Sequence, residues 1–468
     1  MQLNPHQEHL MLNAFAHLNL PAPQLTNLSN LGYRQMTPIQ AEALPQALQG
    51  ADLIAQAKTG SGKTAVFAIT LLAKLNPQNF SVQALVLCPT RELSTQVAHE
   101  IRRLARFQPN IKVVILCGGQ PLAPQAASLE YGAHIVVGTP GRLNDHLNRQ
   151  TLDLRSVNTL VLDEADRMLE MGFLEDIETI IAATPHYRQT LLFSATYPDD
   201  IRALSARFQR QPVEIKVESL HSTSTIEQQS YLCEKSARLN ALVALLAHYK
   251  PGSAVIFCNM KAAVREVTDH LQQLGFSVKA LHGEMEQRDR DQVFVQFKHQ
   301  SFSLLVATDV AARGLDIEDL PCVINYDLPH DPEIYIHRIG RTGRAGKEGM
   351  ALNLLTDAER HKLTGIGEYQ QATLDFEVID ALAGASPSPQ TPPNVTLCIG
   401  AGRKEKIRPG DILGALTGAG GIDGKSVGKI DVLDYAAYVA VERNVAKQAL
   451  AQLNNGKIKG RKFRVSTL

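Results

Sequence analysis

Three groups of residues in this sequence have types and spacings suited to chemistry on a phosphate. The first is Ala57-Lys58-Thr59-Gly60-Ser61-Gly62-Lys63-Thr64. Its glycines leave backbone N–H groups open to an anion, Lys63 adds a positive charge, and the Thr64 hydroxyl suits Mg2+. The second is Asp163-Glu164-Ala165-Asp166, where Asp163 follows an apolar run and suits a metal anchor, while Glu164 can polarise a water. The third lies far downstream, in His337-Arg338-Ile339-Gly340-Arg341-Thr342-Gly343-Arg344. Arg341 and Arg344, three apart, would share one helical face and so serve one site. Read together, the groups predict ATP hydrolysis at a site written in two halves. Each also has a bland reading alone: acids in a solvated turn at a helix N-terminus, or a solvated basic helix. The loop departs from the general pattern at its first position, Ala57 in place of glycine.

The elements that must position these groups show as short apolar runs ending in polar motifs. Ala84-Leu85-Val86-Leu87-Cys88 leads into Pro89-Thr90-Arg91-Glu92, and His134-Ile135-Val136-Val137 into Gly138-Thr139-Pro140-Gly141-Arg142. Thr159-Leu160-Val161-Leu162 leads into Asp163, and Thr190-Leu191-Leu192-Phe193 into Ser194-Ala195-Thr196. The series restarts with Ala254-Val255-Ile256-Phe257 before Cys258-Asn259 and Leu304-Leu305-Val306-Ala307 before Thr308-Asp309. Continuous apolar runs separated by helical stretches predict parallel sheets covered on both faces, which gather ligands at the carboxyl ends of their strands. The fold class expected is therefore α/β, two tandem parallel-sheet domains at 1–218 and 225–380. A proline-rich, semi-rigid linker over 381–393 and a basic module over 394–468 follow.

With 468 residues, the chain exceeds what one core organises and suggests roughly three domains. It has no apolar run long enough to span a bilayer, and the first eight residues carry neither a basic n-region nor an apolar h-region. A membrane partner is not expected, and the cytoplasm is the expected compartment. Six cysteines, Cys88, Cys117, Cys233, Cys258, Cys322 and Cys398, are scattered singly and read as small buried hydrophobes. A net charge of zero hides an asymmetry: residues 394–468 hold 13 Lys and Arg against 6 Asp and Glu, a surplus of +7 over a body of −7. That makes nucleic acid the leading partner of the module.

The ordered motifs resemble those of the DEAD-box RNA helicases over nearly the whole chain. Besides the quartet at 163–166, they include Gly32-Tyr33 with Thr37-Pro38-Ile39-Gln40, Pro89-Thr90-Arg91-Glu92-Leu93, Gly118-Gly119, Thr139-Pro140-Gly141-Arg142 and Ser194-Ala195-Thr196. Ala307-Thr308-Asp309 and Arg313-Gly314-Leu315-Asp316 complete the set, and Ala57 agrees with this family. The resemblance implies RecA-like P-loop domains, ATP with Mg2+ as cofactors, and RNA as partner. It implies that Gln40, Thr37 and Phe15 recognise adenine, that Thr59, Gly60, Ser61, Gly62, Lys63 and Thr64 hold phosphate, and that Asp163 and Thr64 anchor the metal. Glu164 would orient water, Asp316 touch the ribose, and Arg341 and Arg344 act as arginine fingers. Asp166, Ser194, Thr196 and His337 would couple hydrolysis to domain contact. Pro89, Thr90, Arg91, Gly119, Thr139, Gly141, Arg142, Gln287, Arg290, Thr308 and Asp309 would hold the RNA backbone without reading bases. Taken singly, Arg91 and Arg142 read equally well as surface ion-pair partners.

The module at 394–468 resembles an RNA-recognition-motif fold with a degraded stacking signature. Ala436 and Val441 stand where aromatic residues are expected, and Asp434 replaces a cation. For Tyr438 two readings stay open, core packing or stacking on a base. Cations cluster at Arg403, Lys404, Lys406 and Arg408, and again at Lys457, Lys459, Arg461, Lys462 and Arg464, favouring RNA docking. The runs from Arg408 to Gly418 and from Asn455 to Gly460 resemble a subgroup of the family. That resemblance implies selection of a hairpin in large-subunit ribosomal RNA and a role in assembling that subunit. The expected protein is thus an ATP-dependent RNA helicase, working as a monomer by default. Its rivals are a general RNA chaperone helicase without selectivity and an ATP-gated RNA clamp.

Overall fold

The computed structural model describes residues 15–57, 61–196, 199–217, 226–312, 320–343, 348–382, 387, 389–418 and 420–468. The chain divides into two compact units, Met1–Leu220 and His221–Leu468. In the first unit, seven parallel strands form one sheet: β1 (Leu53–Gln56), β2 (Ala84–Leu87), β3 (Val113–Leu116), β4 (Ile135–Gly138), β5 (Thr159–Leu162), β6 (Gln189–Ser194) and β7 (Val213–Lys216), in the order β3-β4-β2-β5-β6-β1-β7. Strands β2, β4, β5 and β6 are buried along their whole length, which is why the sequence reads there as unbroken apolar runs. Val86, Val137 and Val161 enter one apolar cluster, while Leu85, Val136 and Leu160 enter another. Alternate residues thus serve opposite faces of the sheet. Each fully buried Leu or Val contributes about 1.5–3 kcal/mol by leaving water.

The second unit repeats this winding. Its strands β8 (Ile226–Leu232), β9 (Ala254–Phe257), β10 (Val278–Leu281), β11 (Leu304–Ala307), β12 (Cys322–Asn325), β13 (Gly349–Leu355) and β14 (Glu377–Val378) run parallel in the order β10-β11-β9-β12-β13-β8-β14. Position for position, that is the order of the first sheet. A four-stranded antiparallel sheet follows: β15 (Asn394–Ile399), β16 (Val427–Val432), β17 (Ala437–Glu442) and β18 (Val465–Thr467), in the order β16-β17-β15-β18. The helices Pro409–Thr417 and Ala446–Asn455 complete a β-α-β-β-α-β succession. Leu397, Ile399, Val439 and Val441 of the sheet pack with Ile412, Leu416, Ala449 and Leu453 of these helices.

The opposite face of this small sheet rests on the second parallel-sheet domain. His299 bridges the two, its Nε2 lying 3.0 Å from Asp431 Oδ2 and its Nδ1 3.2 Å from Thr396 Oγ1. Lys298 Nζ donates to Asp431 Oδ1 at 2.8 Å, Ser301 Oγ meets Thr396 Oγ1 at 2.7 Å, and Asn394 Nδ2 donates to the His299 carbonyl at 3.0 Å. Tyr438 hydrogen-bonds Gln292 on the helix Gln287–Lys298. His299, Thr396, Ala440 and Tyr438 are 1%, 0%, 1% and 3% exposed, so the middle of this sheet face is covered, while Cys398 is half-buried and Ser466 on the edge strand is exposed. Burial works against the charge of Asp431, but hydrogen bonds from His299 and Lys298 outweigh it and hold the carboxyl at about 2. The end of the proline-rich stretch is tied on both sides: Gln390 Nε2 donates to the Lys250 carbonyl at 3.4 Å and Arg443 Nε to the Pro392 carbonyl at 2.6 Å. Of the cysteines, five are buried and Cys398 is half-buried, all as free thiols.

Candidate nucleotide and RNA sites

Strand order sorts the strand-end motifs of the first unit into two halves. The phosphate loop follows β1, Asp163 follows β5, and Ser194 closes β6; these strands are neighbours in the sheet. Pro89-Thr90-Arg91 follows β2, Gly118-Gly119 follows β3, and Thr139-Pro140-Gly141-Arg142 follows β4, again neighbours. The three motifs that lie in the chain between the phosphate loop and Asp163 are thus gathered on one side of the sheet, because the chain winds outward from β2 through β3 and β4 before it crosses to β5 and β6.

In the nucleotide half, Gly62 takes a left-handed φ of +96° as the N-cap of the helix Lys63–Lys74. A Cβ there would lie 2.4 Å from Gln40 Nε2, so glycine is required twice over. Gln40 is buried: its Nε2 donates to the Gly62 carbonyl at 3.1 Å and its Oε1 accepts from Thr37 N at 3.0 Å. Thr37 Oγ1 donates to the Ser61 carbonyl at 2.7 Å. The adenine-type element therefore braces the phosphate loop directly. Phe15 is buried and meets Tyr33 edge-on at 5.9 Å between ring centroids, which sets it in the wall behind that element.

Lys63 is 6% exposed, and its Nζ has no hydrogen-bond partner among the described residues. Asp163 is equally buried and its carboxyl is pushed up to about 7, chiefly by burial; Lys63 opposes the rise, while Glu164 and Asp166 add to it. A buried ammonium without an acceptor among the described residues, beside a carboxyl that burial makes hard to ionise, fits a bound Mg2+–phosphate pair, which would answer both. Thr64 lies in the first helical turn next to Lys63. Glu164 caps the helix Ala165–Glu170 in a left-handed conformation, φ 53°, with Arg167 Nε 3.9 Å away. Asp166 ties the quartet to β6: its Oδ2 accepts from Ala195 N, Thr196 N and Thr196 Oγ1, each at 3.0 Å. Burial opposes its charge, yet the bonds from Thr196 and Ser194 hold its carboxyl below the usual range.

In the RNA half, helix N-termini gather at the strand ends. Thr90 caps the helix Arg91–Leu104, its Oγ1 accepting from Leu93 N at 3.2 Å. Thr139 caps the helix Pro140–Asn148, and a Cβ on Gly141 would meet nothing nearer than Asp176 at 4.0 Å. Gly119 takes φ 70° in the turn after β3. Arg142 NH1 donates to the Gln120 carbonyl at 2.9 Å while its Nε lies 3.3 Å from Asp145, which holds the guanidinium over the gap between the two loops. These N-termini and Arg142 line up N–H groups and a cation along one edge, an arrangement suited to an anion.

The second unit carries Gln287 and Arg290 on the helix Gln287–Lys298, with Arg290 NH2 3.4 Å from the Ala311 carbonyl beside Thr308 and Asp309. Asp309 accepts from Arg338 Nε and NH2 at 2.7 Å each. Arg338, 2% exposed, also donates to Asn325, to Asn259 and to the Asp327 carbonyl, joining the ends of β9, β11 and β12. The sequence reading gave this residue no role; its neighbour His337 instead lies 3.5 Å from Glu333. One expectation is corrected here. The helix Pro332–Ile339 stops at Gly340, and Arg341 lies in the following turn, where its carbonyl accepts from Leu320 N at 3.1 Å. A shared helical face for Arg341 and Arg344 therefore has no helix to rest on. Thr59, Gly60, Asp316 and Arg344 lie outside the described residues.

In the tail, the two cation clusters meet. Arg403 N donates to the Leu433 carbonyl at 2.8 Å and Lys404 N to the Asp434 carbonyl at 3.0 Å, pinning the segment after β15 to the β16–β17 turn. Lys459 Nζ donates to the Lys406 carbonyl at 2.9 Å, which brings in the loop of Lys457 and Arg461. Tyr438 is the buried reading of the two left open.

A duplicated parallel sheet with a phosphate loop, strand-end acids and a second anion-binding edge defines an ATP-driven nucleic-acid motor. The family model for DEAD/DEAH box helicase matches residues 37–204, that for the helicase conserved C-terminal domain residues 234–346, and that for the DbpA RNA binding domain residues 396–467. The chain belongs to the DEAD-box ATP-dependent RNA helicases, RNA-stimulated ATPases of two RecA-like domains. It is 51% identical over 458 residues to the ATP-dependent RNA helicase DbpA of Escherichia coli (strain K12), covering 98% of this chain and 100% of that one. To the DEAD-box ATP-dependent RNA helicase CshA of Bacillus subtilis (strain 168) it is 42% identical over 366 residues, 78% of this chain and 74% of that one. Among solved structures, Saccharomyces cerevisiae Dbp5 bound to RNA and ADP BeF3 matches with a TM-score of 0.70 and 29% identity, over 79% of this chain and 96% of that one. No helix among the described residues is long and apolar enough to cross a membrane.

Proposed function

We propose that this helicase is directed by its tail to a hairpin of large-subunit ribosomal RNA and locally unwinds neighbouring RNA during assembly of that subunit. The observation that carries this reading is the match of residues 396–467 to the DbpA RNA binding domain, with both cation clusters of that domain joined at one place. The reading includes a monomer acting in the cytoplasm. Lys63 and Thr64 hold the phosphates, Asp163 holds Mg2+, and Gln40 with Thr37 and Phe15 takes adenine. Mg2+ supplies neutralisation of phosphate charge when bound. Glu164 orients the attacking water, and Arg341 and Arg344 supply the cations that answer charge developing on the phosphate. Asp166 passes the state of the nucleotide half to β6 through Thr196. Thr90, Gly119, Thr139 and Arg142, with Gln287, Arg290 and Thr308, grip the RNA backbone. Asp309 acts through Arg338, setting the strand ends rather than touching phosphate.

The test compares ATPase stimulation by a large-subunit ribosomal RNA fragment with that by unrelated RNA of equal length. Full-length protein should prefer the ribosomal fragment. A variant carrying Arg403→Ala, Lys457→Ala and Arg461→Ala should lose that preference while keeping its response to unrelated RNA. Such point variants are preferable to removing 394–468, which would bare His299. Equal stimulation of the unaltered protein by both RNAs would overturn the ribosomal reading in favour of a general chaperone helicase. Turnover without strand release would point to a clamp.

A further inference from the structure

RNA-recognition-motif folds ordinarily stack bases on aromatic residues of the open sheet face. The middle of that face is covered here and its one aromatic, Tyr438, is buried, so stacking on a ring must happen elsewhere on the tail. Of the three aromatic residues in 394–468, Tyr438 is buried under the helix Gln287–Lys298, Phe463 packs against the tail core, and Tyr435 is 61% exposed.

Tyr435 stands at the tip of the turn between β16 and β17, which Leu433 N closes by donating to the Ala436 carbonyl at 2.8 Å. The cationic segment is bonded to this same turn through Arg403 and Lys404. A Cβ on Gly402 would fall 2.2 Å from the Leu433 carbonyl oxygen, so the approach depends on glycine at that position. The acids nearby already have partners: Asp434 lies 3.8 Å from Arg403, Glu405 accepts from Gly402 N at 2.7 Å, and Asp411 accepts from Arg408 N at 2.9 Å. An exposed ring is thus held in water on the turn to which the Arg403–Lys404 segment is bonded, where a nucleobase and its flanking phosphates find a stacking surface and cations together.

We propose that Tyr435 is a base-stacking residue: an unpaired nucleobase of RNA docked on the tail lies on its ring, with the adjoining phosphates on Arg403 and Lys404. This rests on the tail being the RNA-docking module. Stacking of this kind discriminates unpaired from paired RNA and tolerates base identity, so Tyr435 selects for a loop rather than for a letter.

The experiment uses the full-length protein without nucleotide and two RNAs, a stem–loop with 2-aminopurine in its loop and the same stem closed as a blunt duplex. Tyr435→Ala should weaken stem–loop binding between about 5- and 100-fold, abolish the protein-induced change in 2-aminopurine fluorescence, and leave duplex binding within about twofold. Tyr435→Phe should behave as the unaltered protein, since it keeps the ring. A paired variant, Arg403→Ala with Lys457→Ala, reports on the docking module itself by weakening both RNAs and lowering the salt dependence. If that charge variant binds weakly while Tyr435→Ala binds normally, the stacking proposal fails and the module stands. If both bind normally, the docking module is elsewhere and both readings fail.

Discussion

Replacing Asp431 by Asn tests how the tail is held on the second helicase domain. Both groups that lower its pKa, His299 and Lys298, belong to that domain, so the stabilisation attaches to docking rather than to the tail's own fold. The carboxyl falls from 3.8 to about 2. At about 1.4 kcal/mol per tenfold change this is worth about 2.5 kcal/mol, or roughly 60-fold in the docked-to-undocked ratio. A folded value below the unfolded one means the contribution is complete above about pH 4 and is lost as pH falls towards 2. At pH 7, Asp431→Asn should therefore raise amide exchange roughly 60-fold in β16 and in the helix Gln287–Lys298, wherever exchange proceeds through undocking. The same variant should lack the step between pH 4 and 2 that the unaltered protein shows. A double-mutant cycle with His299→Ala should return a coupling of about 1–3 kcal/mol. Exchange within twofold of the unaltered protein, together with coupling below about 0.5 kcal/mol, would refute the idea that this carboxylate holds the tail in place.

Other expectations can be checked singly. Gly62→Ala should weaken ATP binding more than about tenfold in a fluorescent-nucleotide titration, since the new Cβ strains a left-handed backbone and strikes Gln40. Glu164→Gln should still bind ATP but hydrolyse it about 100- to 1000-fold more slowly in single-turnover assays, because an amide cannot polarise water as a carboxylate does. Arg338→Ala strands the half-buried Asp309 and the buried Asn325. It should cost about 3–5 kcal/mol and lower the second unit's melting midpoint by roughly 10 °C in calorimetry.

Strands and their order of function were legible in the sequence because parallel strands buried on both faces leave unbroken apolar runs, and because motifs collect at their carboxyl ends. Asp163 could be placed from the apolar run before it, and Lys63 from its glycine-rich loop. What could not be placed was the side of the sheet on which each motif falls, since three motifs that strand order puts on the other side separate the phosphate loop from Asp163 and Ser194 in the chain. Arg338 escaped notice because a buried arginine looks, in sequence, like the exposed arginines around it; the groups that accept its hydrogen bonds come from three separate strand ends. The shared helical face assigned to Arg341 and Arg344 failed for a local reason, the stop at Gly340. Asp431 and His299 were missed because each is an ordinary polar residue until a second domain covers both. The burial of Tyr438 had the same cause: its sheet face reads as solvent-facing in a lone domain.

The polar make-up of the docking face has a consequence for how the protein is made. Translation completes the second helicase domain before the tail's last strand leaves the ribosome, so Lys298, His299 and Ser301 must wait uncovered. Hydrophobic seams left open at that stage invite aggregation, whereas these groups are well hydrated while they wait. Thr396 and Asp431 on the incoming sheet are likewise at ease in water. A nascent chain can therefore pause between its second and third domains without exposing a sticky surface.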